Sequence, residues 1–209
     1  MTIDKDNLLN SILESIDRIK FVNSDDIPNI DLYVDQVTTF MDKALKSTTR
    51  YKDQDKVLTK TMINNYAKND LLPSPIKKKY SKEHVLVLVF IYYFKNILSI
   101  NDIQNMLNPL TDKYFGKDEY SIKEVYDEVT KIDEAQIEEL KKDIKAKYAK
   151  ASEGFDGVPE EDQEFLQLFS FITMLATDVY IKKLLIEKMI DEYTSKHIDD
   201  IKPDKKNKS

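Results

Sequence analysis

Glycine is almost missing from this chain. Gly116, Gly154 and Gly157 are the only three in 209 residues, and none precedes residue 116. Glycine is the residue that lets a backbone turn with positive φ or approach an anion closely. None of the three stands in a G-x-G-x-x-G or G-x-x-x-x-G-K-[ST] frame, so a dinucleotide site and a P-loop are excluded. Sandwiches and barrels need many tight turns, which makes an all-β architecture a poor fit as well. Helices joined by glycine-free connections remain. Cysteine is absent, which removes disulfides, thiolate chemistry and zinc fingers. The two histidines, His84 and His197, are too far apart in sequence to form a local metal motif.

Hydrophobic residues make up 41% of the chain, enough for a core, and charged residues 33%. The N-terminal MTIDKDNLL is not a basic segment followed by an apolar one, so no secretory signal is expected. The longest apolar run, Val85 to Phe94, is too short to span a bilayer. A cytoplasmic protein with no membrane partner is the expectation.

Apolar periodicity predicts seven helices and almost no strand. The first covers 4–20 through Leu8, Leu9, Ile12, Ile16 and Ile19. The second covers 31–46, with Asp31 as candidate N-cap. The third begins near Thr59 or Lys60 and stops before Pro73. Ser81 caps a fourth helix over 82–97, whose β-branched and aromatic run leaves a buried strand as the rival. Ser99 caps a fifth helix ending at Pro109, and 108–120 is a loop. Ser121 and Glu124 form a capping box, and Asp133 and Gln136 look like a second, so 121–150 is one kinked helix or two. A glycine-bearing loop over 151–159 precedes a last helix over 160–197. The tail, 202–209, is charged and expected to be disordered.

The net charge is −6, but it is unevenly spread. Residues 50–82 hold nine basic and three acidic side chains, a balance of +6 that leaves −12 on the other 176 residues. Such asymmetry points to a polyanion-binding patch. The third helix lies inside this window. At 100° per residue Lys60, Thr61, Asn64, Asn65 and Lys68 share about 140° of arc, opposite Met62, Ile63, Tyr66 and Ala67. Any amphipathic helix has a polar side, but this one carries no acid. Asparagine can bond adenine N6 and N7 together, threonine can meet a thymine methyl, and lysine supplies phosphate contacts. Lys77, Lys78, Lys79 and Tyr80 follow a Pro-Ser-Pro turn and suit a basic wing beside that helix.

Three stretches then resemble the MerR-type winged helix-turn-helix. They are Thr61-Met-Ile-Asn-Asn-Tyr-Ala-Lys-Asn-Asp-Leu-Leu-Pro, Lys78-Lys-Tyr-Ser-Lys-Glu-His and Leu98-Ser-Ile-Asn-Asp-Ile-Gln-Asn-Met-Leu. Anchored on Leu71-Leu72, Tyr66 and Tyr80 fall on family tyrosines, and Ile103 and Leu107 fit the last helix. Asn64 replaces an arginine, Asp70 replaces a glycine, and the wing is shorter. With Ile30-Asp-Leu-Tyr-Val-Asp-Gln-Val and Leu58-Thr-Lys-Thr-Met-Ile-Asn-Asn-Tyr, the chain is more closely similar to a bacterial domain-of-unknown-function family, number 1836. Its members are regarded as transcriptional regulators with a MerR-like DNA-binding fold.

The resemblance implies an all-α chain with an N-terminal helix and linker over 1–30 and a winged helix-turn-helix over 31–110. Beyond the span of the resemblance, the helical pattern over 111–200 is read as a dimerisation or effector region and 201–209 as a tail. The resemblance implies a regulator that binds double-stranded DNA. Because a lone helix-turn-helix offers few base contacts, a homodimer is expected. Helices in 121–197 are the natural candidates for dimerisation, effector sensing or both, with any small-molecule effector unknown. The DNA-contacting candidates are Lys60, Thr61, Asn64, Asn65, Lys68, Lys77, Lys78, Lys79 and Tyr80. The alternative is a helical interaction adaptor that does not bind DNA. Catalysis has little support. Glu160, Glu161, Asp162 and Glu164 suit a helix N-terminus, His197 with Asp199 and Asp200 borders the tail, and His84 suits a capping or surface role. No catalytic residue, metal or cofactor is expected.

Overall fold

The computed structural model describes residues 5–16, 22–51, 53–131 and 134–196. Among them are eight α-helices: α1 (Lys5–Ile16), α2 (Val34–Leu45), α3 (Lys60–Lys68), α4 (Lys82–Phe94), α5 (Ile100–Tyr114), α6 (Ile122–Val129), α7 (Glu134–Ser152) and α8 (Glu160–Lys196). Two strands, β1 (Leu32–Tyr33) and β2 (Lys79–Tyr80), pair antiparallel with Leu32 opposite Tyr80 and Tyr33 opposite Lys79. The chain is therefore mostly helical, as expected. None of the described helices is long and apolar enough to cross a membrane. Lys52, Ile132, Asp133, His197, Asp199, Asp200, the 17–20 end of the first helix and the 202–209 tail lie outside the described residues.

The chain divides into two compact units. One comprises residues 21–130 and 185–209, the other residues 1–20 and 131–184. The first unit is built round α4. Val85 to Tyr92 are all buried, so this helix is apolar on every side, the pattern of a core helix rather than a surface one. The strand rival is thereby settled in favour of helix. Each such side chain contributes about 1.5–3 kcal/mol on burial. Val37, Met41 and Leu45 of α2, Ile63 and Tyr66 of α3, Ile103 and Leu107 of α5, and Ile122 and Tyr126 of α6 complete the same core. The Tyr126 hydroxyl donates to the Val22 carbonyl at 2.6 Å, which satisfies a buried polar atom and ties down the segment before α2. Ile190 of α8 joins this core. Thus α6 packs with the helices before it.

Two sequence expectations are corrected here. Asp31 is not the N-cap of α2. Its neighbours Leu32 and Tyr33 are drawn into β1, and Tyr33 becomes the cap residue, its N–H donating to Gln36 Oε1 at 2.9 Å. The fifth helix does not end at Pro109 but runs through it to Tyr114. Proline there removes the N–H that would bond the Asn105 carbonyl and costs about 3 kcal/mol. Burial of Thr111 and packing of Leu110, Tyr114 and Phe115 against the core offset it. The region 121–150 is two helices, with α6 ending at Val129. The Ser121–Glu124 capping box is present, the Ser121 N–H donating to Glu124 Oε2 at 2.9 Å.

In the second unit α1 packs on α7 and the first half of α8 through Ile16, Ile144, Ala151 and Phe171. Gln167 is buried among them. Its Nε2 donates to the carbonyls of Ser152 and Gly154 at 2.7 and 3.0 Å, which fixes the 153–159 loop.

The end of α3 shows what scarce glycine demands. Asp70 adopts φ +55°, and the Leu71 N–H reaches back to the Tyr66 carbonyl at 2.9 Å, closing a Schellman motif. That position is usually glycine, because a Cβ disfavours the left-handed region. Asp70→Gly is expected to raise unfolding stability by about 1 kcal/mol, measured by urea denaturation. A lower midpoint would show that the carboxylate offsets the strain.

Candidate functional site

The acid-free face of α3 is solvent-facing, as its periodicity predicts. Thr59 caps the helix, its Oγ1 accepting from the Met62 N–H at 3.2 Å. Ile63 and Tyr66 are buried and Met62 and Ala67 half-buried, which rotates Lys60, Thr61, Asn64, Asn65 and Lys68 outward. The Asn69 carbonyl at the other end accepts from Gln104 Nε2 of α5 at 2.5 Å. The helix is therefore held at both ends and on its inner side.

The basic segment after Pro75 forms a two-residue hairpin. Ile76 and Lys79 exchange both backbone hydrogen bonds, at 3.1 and 2.9 Å. Between them Lys77 and Lys78 have φ +50° and +63°. Two successive left-handed residues make a primed turn, whose twist suits a hairpin and which usually carries Asn-Gly. Placing lysine at both costs about 1–2 kcal/mol per residue. The return is that two ammonium groups stand at the exposed tip. Lys79 is half-buried, with its Nζ 5.4 Å from the centre of the exposed Tyr33 ring.

Tyr80 takes a different place from the surface one its sequence position suggested. It is 3% exposed, because β1 covers it. Its hydroxyl donates to Asn64 Oδ1 across a long 3.5 Å, and its ring meets His84 edge-on at 5.5 Å. It thus links the hairpin to α3 from beneath. Lys60 is also engaged, forming an ion pair with Asp35 of α2. Both partners are more than half exposed, so the pair adds at most about 1 kcal/mol of stability. Its larger effect is to shade one cation of the face. Asp35, Tyr33 and Gln104 escaped the sequence reading because nothing in their spacing marks them; each matters only through a tertiary neighbour.

His84 sits below this surface. It caps α4, as one sequence expectation had it, but it is buried and not on the surface. The Ser81 N–H donates to its Nδ1 at 3.0 Å, which puts the neutral ring's proton on Nε2. Nε2 is buried without a hydrogen bond of acceptable geometry. Burial holds the pKa below the ordinary histidine value, against weaker opposing effects of the Ser74 carbonyl, the Asp31 charge and the Pro73 carbonyl. No cluster of three or more metal-ligating side chains occurs among the described residues.

Residues 22–129 match the family model described as a domain of unknown function (DUF1836). The chain belongs to that family. The DUF1836 match begins and ends within one residue of the main segment of the first unit, 21–130. Every candidate residue from Lys60 to Tyr80 falls inside the DUF1836 region. The chain matches no curated protein and no solved structure.

The buried His84 sets a pH dependence for the DUF1836 unit. Its folded pKa lies below the unfolded value of about 6.5, so the unfolded state binds the proton first. Stability is complete above about pH 6.5 and declines as pH falls below it. Thermal melts from pH 7.5 to 5 should show this decline. His84→Gln, which preserves the capping acceptor, should flatten the acid side. An identical slope in the variant would assign the decline to other groups.

Proposed function

We propose that this protein is a DNA-binding transcriptional regulator of the MerR-like winged helix-turn-helix type, acting as a homodimer. In this reading α3 lies in the major groove and the 76–79 hairpin is a short wing on the flanking phosphates. The observation that carries it is the union of two features on one unit. A helix exposes lysine, threonine and asparagine without an acid. A strained turn beside it holds two lysines outward. The link between them, Tyr80 on Asn64, keeps groove reader and wing in fixed relation.

The hydrogen bonds of this surface support distinct roles. Asn64 Oδ1 already accepts from Tyr80, so its amide nitrogen is the atom left to meet a base acceptor. Asn65 makes no side-chain hydrogen bond among the described residues, so it keeps the bidentate pattern that recognises adenine. Lys60, Lys68, Lys77 and Lys78 are the phosphate contacts, with Lys60 exchanging Asp35 for phosphate on binding. Half-sites on a dimer explain how so small a surface achieves specificity. On α8, Phe165, Phe169, Ile172 and Val179 are exposed and fall within about 80° of arc, a seam of the kind a second copy covers. The same stripe favours the alternative, a helical adaptor that binds another protein and no DNA.

Selection of random genomic fragments with purified protein separates the two. The regulator reading expects enrichment of a pseudo-palindrome. Asn64→Ala with Asn65→Ala should cost about 1–3 kcal/mol per lost base contact on the selected site only. Lys77→Ala or Lys78→Ala should weaken binding to all sequences and reduce the salt slope by about one. Asp35→Asn should tighten binding by freeing Lys60. No enrichment at low salt would leave the adaptor.

A further inference from the structure

A cavity of about 480 Å³ lies within the first unit, between α5 and the last turns of α8. Its walls are Met106, Leu110 and Tyr114 from α5 and Ile186, Met189 and Tyr193 from α8. The volume falls in the range of small-molecule sites, and apolar walls with a few polar groups are their usual make-up. Two methionines allow the walls to adapt to an occupant. Ile190 and Ile186 pack on the core behind, so the floor is rigid while Met189 stays open to solvent.

The polar groups decide what fits. No acid lines the cavity, and Lys113 is its one charged residue. The Lys113 ammonium stands over the Tyr114 ring at 5.2 Å, which holds it at the rim. Asn105, at the same cavity, brings an amide donor. A lone cation, about two helical turns from that amide, suits a monoanionic carboxylate better than a doubly charged phosphate. We propose that this cavity is a binding site for an apolar monocarboxylate, its chain or ring between α5 and α8 and its carboxylate on Lys113.

The site has a route to α3. Gln104, next to Asn105 on α5, donates to the Asn69 carbonyl that ends α3. An occupant that shifts α5 would move the end of that helix. This second step rests on the regulator reading above; binding itself does not.

The test uses decanoate and decan-1-ol as probes on the full chain without DNA, by calorimetry. Saturable binding of one decanoate per chain is expected, at least about tenfold tighter than decan-1-ol, as one charge-assisted contact gives. Lys113→Glu, at an exposed position, should erase that advantage, so that decanoate binds no tighter than decan-1-ol. Met189→Trp, which fills the cavity, should abolish both. Absent saturable binding, equal affinity for the two probes, or an unchanged advantage in Lys113→Glu would each overturn the proposal. So would self-association that Met189→Glu dissolves in sedimentation, since a second copy would then fill the groove. A separate titration of DNA affinity with decanoate reads the coupling: no DNA binding at all fails the regulator reading, not the cavity.

Discussion

A helix with no polar side organises the DUF1836 unit. α4 is buried from His84 to Tyr92, so every neighbouring element must present an apolar face to it. Its ends then do the positioning. At the N-terminal end Glu83 accepts the N–H groups of Gly116 and Ile122, at 2.7 and 3.2 Å, and so sets the loop between α5 and α6. His84 supports Tyr80 and with it the hairpin. Just beyond the C-terminal end Lys95 donates to the Val57 carbonyl at 2.9 Å, close to where α3 begins. Burial lowers the pKa of Lys95, yet a carbonyl and the Tyr92 ring stabilise its charged form. Displacing α4 would disturb both the helix and the hairpin of the surface.

Much of this was legible in the amino-acid order. Period-3.6 patterns located the helices, and Ser81, Ser99 and Ser121 marked real starts because hydroxyl caps act locally. The polar face of α3 was readable for the same reason: helix geometry alone decides which side chains share a side. What escaped depends on partners distant in sequence. β1 is two residues long and exists because β2 pairs with it. Pro109 reads as a stop, and only packing of the following turn overrides it. Tyr80 looked like part of a basic surface strip, but alternation across the strand turned it inward while Lys79 turned outward.

The cations of the surface are not equally available. Lys60 rests on Asp35 and Lys79 on Tyr33, whereas Lys77 and Lys78 stand at the tip of a turn. An incoming polyanion would meet the tip first and then compete for the others. Outside 50–82 the chain carries −12, so its positive charge is concentrated in this window. In the regulator proposed above, specificity and affinity come from different groups, the asparagines and the lysines.

The left-handed lysines of the hairpin carry one more consequence. Only two backbone hydrogen bonds close the loop, and the conformation they enforce is one that lysine seldom visits. The closed turn is therefore less favourable than the Asn-Gly form usual at such a hairpin. Glycine at the tip would have removed that strain. With lysine there, the backbone strain of the turn and the charge at its tip are carried by the same two residues.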